Sequence, residues 1–261
     1  MTIAGALETR RDHAVLWSAV VAIVALAWTY LLQGAGMERT AMEIGGGMMM
    51  SMPSLWTPGH VAGVFQMWVV MMVAMMLPAA IPAALASAGS GGEQRNSARR
   101  GGRAALFVIG YLAVWTGFSV AATLLQWTLD CANQLSETMT LRSPVAIAAL
   151  IIVVGLSQLS PLKRACLGRC RAMAECPAGG RSEGAWATVR QGTRHGLSCL
   201  GCCAALMSLM FVAGVMNVAV MALISLWVLA ERVPAWGSRV TVGTAVGLVV
   251  TGGLALLMTL V

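Results

Sequence analysis

Six stretches of this chain contain no charged side chain, and each is long enough to cross a bilayer as a helix. They cover residues 14–32, 61–86, 104–129, 144–162, 196–230 and 240–261, which is 147 of the 261 residues. A helix rising 1.5 Å per residue needs about 20 apolar residues to traverse roughly 30 Å of hydrocarbon. In lipid every backbone N–H and C=O must be satisfied inside the segment, so an uninterrupted apolar run of this length reads as a helix. Only 10% of the residues are charged, against about 25% in an average soluble chain, and that excludes a soluble enzyme.

The expected fold is therefore all-α, a polytopic transmembrane bundle forming one membrane domain over residues 1–261. The 35-residue block 196–230 would make one helix about 52 Å long, too long for a single crossing. Gly214 and Asn217 are the turn-forming residues near its middle. A hairpin there gives seven spans, near 14–32, 61–86, 104–129, 144–162, 196–213, 216–230 and 240–261, and an undivided block gives six. Seven is favoured. The 19 residues of the first block exceed the roughly 7–15 of a signal-peptide core, so it reads as an uncleaved span. Pro78 and Pro82 are expected to kink the inner end of the second span.

Net charge is +7, and the basic residues alternate from loop to loop. Arg10 and Arg11, then Arg95, Arg99, Arg100 and Arg103, then seven bases between residues 161 and 195 lie on one side, while Arg39 and Arg142 lie on the other. This is the positive-inside pattern, and it puts the N-terminus in the cytoplasm of a bacterial inner membrane. The bases are orientation signals, so the partner they indicate is a lipid bilayer and not a nucleic acid. No charge falls within a block, and no intramembrane ion pair is expected.

The chemistry of the chain lies in its sulfur. Seven cysteines are present, and all but Cys131 lie in or beside the inner loop between the fourth and fifth blocks. A reducing cytoplasm keeps such thiols free for ligand or redox chemistry. On a helix His195, Cys199 and Cys203 share one face at i, i+4 and i+8, with Cys202 beside them, and Cys166 and Cys170 form a second i, i+4 pair. Two helices meeting there would offer Cys166, Cys170, His195, Cys199, Cys202 and Cys203 to one metal ion, and a tetrahedral site needs about four such donors. Cys176 belongs either to this set or only to the loop.

Methionine is abundant, 19 residues. Met48, Met49, Met50 and Met52 cluster in an outer loop with no core to fill. In the second span His60, Met67, Met71 and Met75 fall within about 80° of one another, a stripe running inward from the outer surface. Met210, eleven residues from Cys199, shares its face. Methionine also fills gaps in packed helices without any further role. Thioethers with thiolates are nevertheless the donor set that selects Cu(I), and the stripe is a candidate conduit toward the thiols.

The run from Met67 to Pro78, the segment Ser160-Pro161-Leu162-Lys163 to Cys166 and Cys170, the motif His195-Gly196 to Cys199-Leu200-Gly201-Cys202-Cys203, and the stretch Leu206 to Asn217 with Glu231 resemble a bacterial family of predicted metal-binding integral membrane proteins. The likeness covers roughly residues 60–240 and implies a metal site without an assigned reaction.

The function these features indicate is Cu(I) handling in the inner membrane, by transport or by delivery to a membrane cuproenzyme, with a metal-receiving protein or enzyme as partner. Two other classes stand beside it. One is a membrane metalloenzyme or enzyme subunit oxidising a hydrophobic substrate at copper or iron, against which three histidines and no carboxylate within a span weigh. The other is a structural subunit whose fourth and fifth spans are joined by a zinc clip.

Overall fold

The computed structural model describes residues 3–34, 41–44, 48–51, 56–89, 97–136, 139–175, 184–233 and 237–260. Nine helices are formed among them: α1 (Ile3–Leu32), α2 (Pro58–Gly89), α3 (Ser97–Cys131), α4 (Pro144–Gln158), α5 (Pro161–Glu175), α6 (Ala185–Met207), α7 (Met210–Ala213), α8 (Val218–Arg232) and α9 (Gly237–Leu260). The all-α architecture is as expected, apart from one short hairpin in a loop. Between α1 and α2 the strands β1 (Ala41–Ile44) and β2 (Met48–Ser51) pair antiparallel. β2 carries Met48, Met49 and Met50, whose side chains lie, with Met52 and Cys176, outside the described residues.

Four helical stretches are long and apolar enough to cross a membrane: Pro58–Ala88, Arg99–Cys131, Ala185–Ala213 and Gly237–Thr259. The α4–α5 pair makes a fifth when taken as one bent span, and Trp17–Leu32 is a shorter apolar helix. Against the six or seven spans expected from the six blocks, four or five helices among the described residues meet the length and apolarity of a span. α8 is the reason for part of the difference. Its 15 residues reach about 22 Å, less than the hydrocarbon thickness.

Local sequence explains where the helices break. Ser143 caps α4 by accepting from Ala146 N, with Pro144 at the first helical position. α4 ends at Leu159, Pro161 starts α5, and Ser160 Oγ accepts from Lys163 N at 3.1 Å. The two helices meet at 57°. The apolar block 196–230 leaves helix at Gly214, whose φ of 95° suits glycine, and restarts at Asn217, whose side chain caps Val220 N. The chain then doubles back, since Arg232 at the end of α8 reaches Cys199 in α6.

α2 is the central element. In its apolar window 61% of the residues are buried, against 22% for α9. It packs on α1 and α3, α3 packs on α6, α5 packs on α6, and α9 pairs with α4. Glycine makes the α3–α6 crossing close, because a Cβ on Gly192 would collide with Phe107 O. Toward the Trp56 end of α2, Trp68 Nε1 donates to Gln126 Oε1 at 2.8 Å and Trp56 Nε1 donates to Asp130 Oδ2 at 2.6 Å, which sets the register of α2 on α3. Leu223, Leu226, Val250, Leu254 and Leu257 point outward on α8 and α9, a surface suited to lipid.

The expectation of no ion pair among the spans is corrected. Lys163 at the start of α5 and Glu231 at the end of α8 are both buried, with Nζ 2.7 and 2.9 Å from the two carboxylate oxygens. Each lies just beyond an uncharged block, and the bend after α4 with the hairpin after α7 folds those ends back into the bundle. Gln158 accepts a further bond from Lys163 Nζ, and Arg171 donates to the backbone carbonyl of Glu231.

Candidate metal centre

The candidate centre is built around the loosened turn of α2. Proline has no N–H, so Pro78 and Pro82 leave the carbonyls of Ala74 and Pro78 without their helical donors. Side chains from two other helices bond to carbonyls in this same turn. Tyr111 of α3 donates its hydroxyl to Met76 O at 3.0 Å, Ser225 of α8 donates to Met75 O at 3.3 Å, and Arg232 donates through Nη1 to Ala79 O at 2.9 Å. Tyr111 and Arg232, fixed in this way, both meet Cys199. The tyrosine oxygen lies 3.2 Å from Cys199 Sγ, and Arg232 Nη2 donates to the same sulfur at 2.6 Å.

The other thiols gather on this sulfur. Cys202 Sγ and Cys203 Sγ are 3.2 Å apart, and Cys202 also donates to Cys199 O at 3.1 Å. Cys199, and Cys170 from α5, lie beside this pair. All four cysteines are buried. Of the six residues expected at one site, the structure therefore brings Cys170, Cys199, Cys202 and Cys203 together.

Cys166 packs against α6 at a residue beside Cys202 in sequence. It lies over Gly201, where a Cβ would come within 2.7 Å of Cys166 Sγ. Position 201 projects about 160° from positions 199 and 203 on a helix, so Cys166 meets a different face of α6. His195 is one turn before Cys199 and is buried between the rings of Phe107 and Tyr111, with centroid distances of 5.6 and 5.7 Å. Among the described residues neither of its ring nitrogens has a hydrogen-bond partner. A buried imidazole with both nitrogens open is costly unless something else engages it.

As the side chains stand, no three of the described His, Cys, Asp and Glu residues surround a common point fit for an ion. Cys202 and Cys203 contact each other instead, and Cys199 bonds to Tyr111 and Arg232. Metal–sulfur bonds of about 2.3 Å in a tetrahedron would hold sulfurs about 3.8 Å apart. The Cys202–Cys203 pair at 3.2 Å would thus have to open by about half an ångström. Side-chain rotation covers that change. The donor set, four thiols and one unengaged imidazole, suits a soft ion.

The methionine stripe faces inward. Met67, Met71 and Met75 of α2 and Met210 of α7 are fully buried, and so are Met72, Met76, Met207 and Met221. His60 is half-buried at the start of α2, its ring edge-on to Trp56 at 5.0 Å. Fifteen residues, about 22 Å of helix, separate it from Met75. Tyr111 and Arg232 escaped the sequence reading. Arg232 had one detectable signal, a charge immediately after an apolar block that ends beside Glu231.

A family model described as PpoB2, copper chaperone, matches residues 65–255 of the chain. No curated protein and no solved structure matches it.

Proposed function

The chain belongs to the PpoB2 copper chaperone family, and from that premise we propose that it is a multi-pass protein of the bacterial inner membrane that carries Cu(I) on buried thiols and delivers it to a membrane cuproenzyme. Copper is the cargo. The ligands in this reading are Cys199, Cys202 and Cys203 of α6 with Cys170 of α5, and His195 is an additional donor one helical turn away. The reading rests on one observation above all: four buried thiols from two helices gathered inside the bundle, two of them in sulfur contact, next to a buried imidazole with no partner among the described residues.

A delivery protein must release what it binds. Thiols that hydrogen-bond to one another are already satisfied without an ion, so the net gain on binding is reduced and the cargo stays exchangeable. The buried thioethers of Met67, Met71, Met75 and Met210 are neutral soft donors on the route between the outer end of α2 and the thiols. They suit a conduit because none of them adds charge to the interior.

Metal analysis of the full chain, purified in detergent and loaded with Cu(I), tests the reading. Wild-type protein is expected to retain copper through desalting, and the Cys199→Ser/Cys202→Ser double variant is expected to lose it. Retention of zinc in place of copper, or equal copper in both proteins, contradicts the reading.

A further inference from the structure

A cavity of about 380 Å³ opens where the bend after α4, one face of α5 and the start of α9 meet. That is within the roughly 300–1,000 Å³ of small-molecule sites. Leu159, Leu167 and Val242 give it an apolar wall, while Lys163, Arg164 and Arg171 bring three cations to the same space. Glu231 matches the charge of Lys163 with both of its oxygens. The two guanidiniums have no such counter-ion among the described residues. Arg164 donates through Nη2 to Leu159 O at 2.9 Å, Arg171 donates to Glu231 O, and Arg171 Nε is buried without a partner. Of the chain's ten acidic residues only Asp130 and Glu231 have described side chains, and Trp56 engages Asp130.

A glycine keeps this space open. Gly168 lies within α5, where glycine is a poorer helix residue than alanine. A Cβ there would meet nothing within 4 Å, so no packing contact requires its absence. On a helix Arg164, Gly168 and Arg171 fall within about 60° of one another, and the glycine leaves a gap between the two arginine stems. Arginine suits phosphate because its planar fork donates two bonds at once. In a bundle whose basic loops mark the cytoplasmic face, cations beside an apolar wall lie at the depth of the lipid headgroups.

We propose that the cavity holds one anionic phospholipid of the cytoplasmic leaflet, its phosphate at Arg164 and Arg171 and part of an acyl chain along Leu159, Leu167 and Val242. Charge favours this occupant, because two guanidiniums that bond only to backbone carbonyls call for an anion. The apolar wall beside them favours a lipid over a free phosphate. Lys163 and Arg171 also hold Glu231 at the end of α8, so the lipid sits against the contacts that fasten α5 to α8. The proposal rests on the membrane part of the proposed function and not on the copper ligands.

Native mass spectrometry of the detergent-purified full chain, titrated with dioleoylphosphatidylglycerol, dioleoylphosphatidylcholine or inorganic phosphate, tests it. Wild type is expected to bind one phosphatidylglycerol at least about fivefold more tightly than phosphatidylcholine. Inorganic phosphate in large excess is expected not to displace the lipid. Each guanidinium contributes roughly fivefold to holding an anionic headgroup, so Arg164→Gln/Arg171→Gln should weaken phosphatidylglycerol binding about 25-fold and leave phosphatidylcholine within about twofold. Gly168→Leu keeps every charge but fills the gap, and it should lose the preferred binding as well. Equal binding of the two lipids by wild type overturns the proposal, and so does unchanged phosphatidylglycerol binding in the double variant. Displacement by inorganic phosphate also overturns it and marks a free-anion pocket. If the double variant fails to unfold cooperatively, Arg164→Gln, at an exposed position, decides together with Gly168→Leu. A loss of about fivefold in the first with a loss in the second supports the site, and unchanged binding in either refutes it. Copper retention is measured on the same wild-type sample. Copper absent with the lipid preference intact removes the copper reading alone, and copper retained with no lipid preference removes this site alone.

Discussion

Replacing Lys163 by Met leaves the Glu231 carboxylate buried and unpaired, and the consequence can be worked from the structure. Lys163 is 3% exposed and Glu231 1%, so water screens neither. Breaking a buried pair by removing one partner costs about 3–5 kcal/mol, while replacing both partners with apolar groups of similar size is often neutral or stabilising. Lys163→Met and Glu231→Met should each destabilise by that amount, and the double variant should lie within about 1 kcal/mol of wild type. At about 2–4 °C per kcal/mol for a chain of this size, each single variant loses about 6–20 °C in thermal midpoint. Circular dichroism of detergent-purified protein measures this. Because the pair fastens α5 to α8, the single variants should also expose Cys170 to maleimide labelling faster than wild type. If the double variant loses as much as the two singles combined, the residues act independently and the buried-pair account is wrong.

Two further outcomes follow from packing. Gly192→Ala places a methyl group against Phe107 O and pushes α3 from α6; overpacking of this kind costs about 1–3 kcal/mol, and the thermal midpoint should fall together with Cu(I) affinity, since Tyr111 moves away from Cys199. The Met71→Leu/Met75→Leu variant keeps side-chain volume and should stay within about 1.5 kcal/mol of wild-type stability per site, yet stopped-flow transfer of copper to an acceptor chelator should slow severalfold. Equal transfer rates would reduce the stripe to core packing.

How much of this was legible beforehand depends on the range of the interactions involved. The shared face of Cys199 and Cys203 follows from helical repeat alone, and the turn at Gly214 and Asn217 follows from residue chemistry, so both could be read from short windows of sequence. Cys166 and Cys170 also share a face of α5, but which sulfur reaches Cys202 depends on how α5 crosses α6 after the 57° bend, and no local pattern encodes that. Tyr111 and Arg232 reach Cys199 across 88 and 33 residues of sequence. Their meeting point is set by the carbonyls of the proline-loosened α2 turn and by the close approach of α3 and α6 at Gly192. Counting uncharged blocks located the apolar helices, but it gave no measure of helix length, and α8 with its 15 residues is shorter than a spanning helix. The same counting missed the buried Lys163–Glu231 pair because both charges lie just past the block ends.

The most direct test of the central claim is X-ray absorption at the copper edge on full-length protein loaded with about one equivalent of Cu(I). Binding by the α5–α6 thiols predicts a monovalent edge with sulfur neighbours, replaced by a different spectrum in the Cys199→Ser/Cys202→Ser variant. A spectrum dominated by oxygen or nitrogen neighbours, or one that the two substitutions leave unchanged, would contradict it.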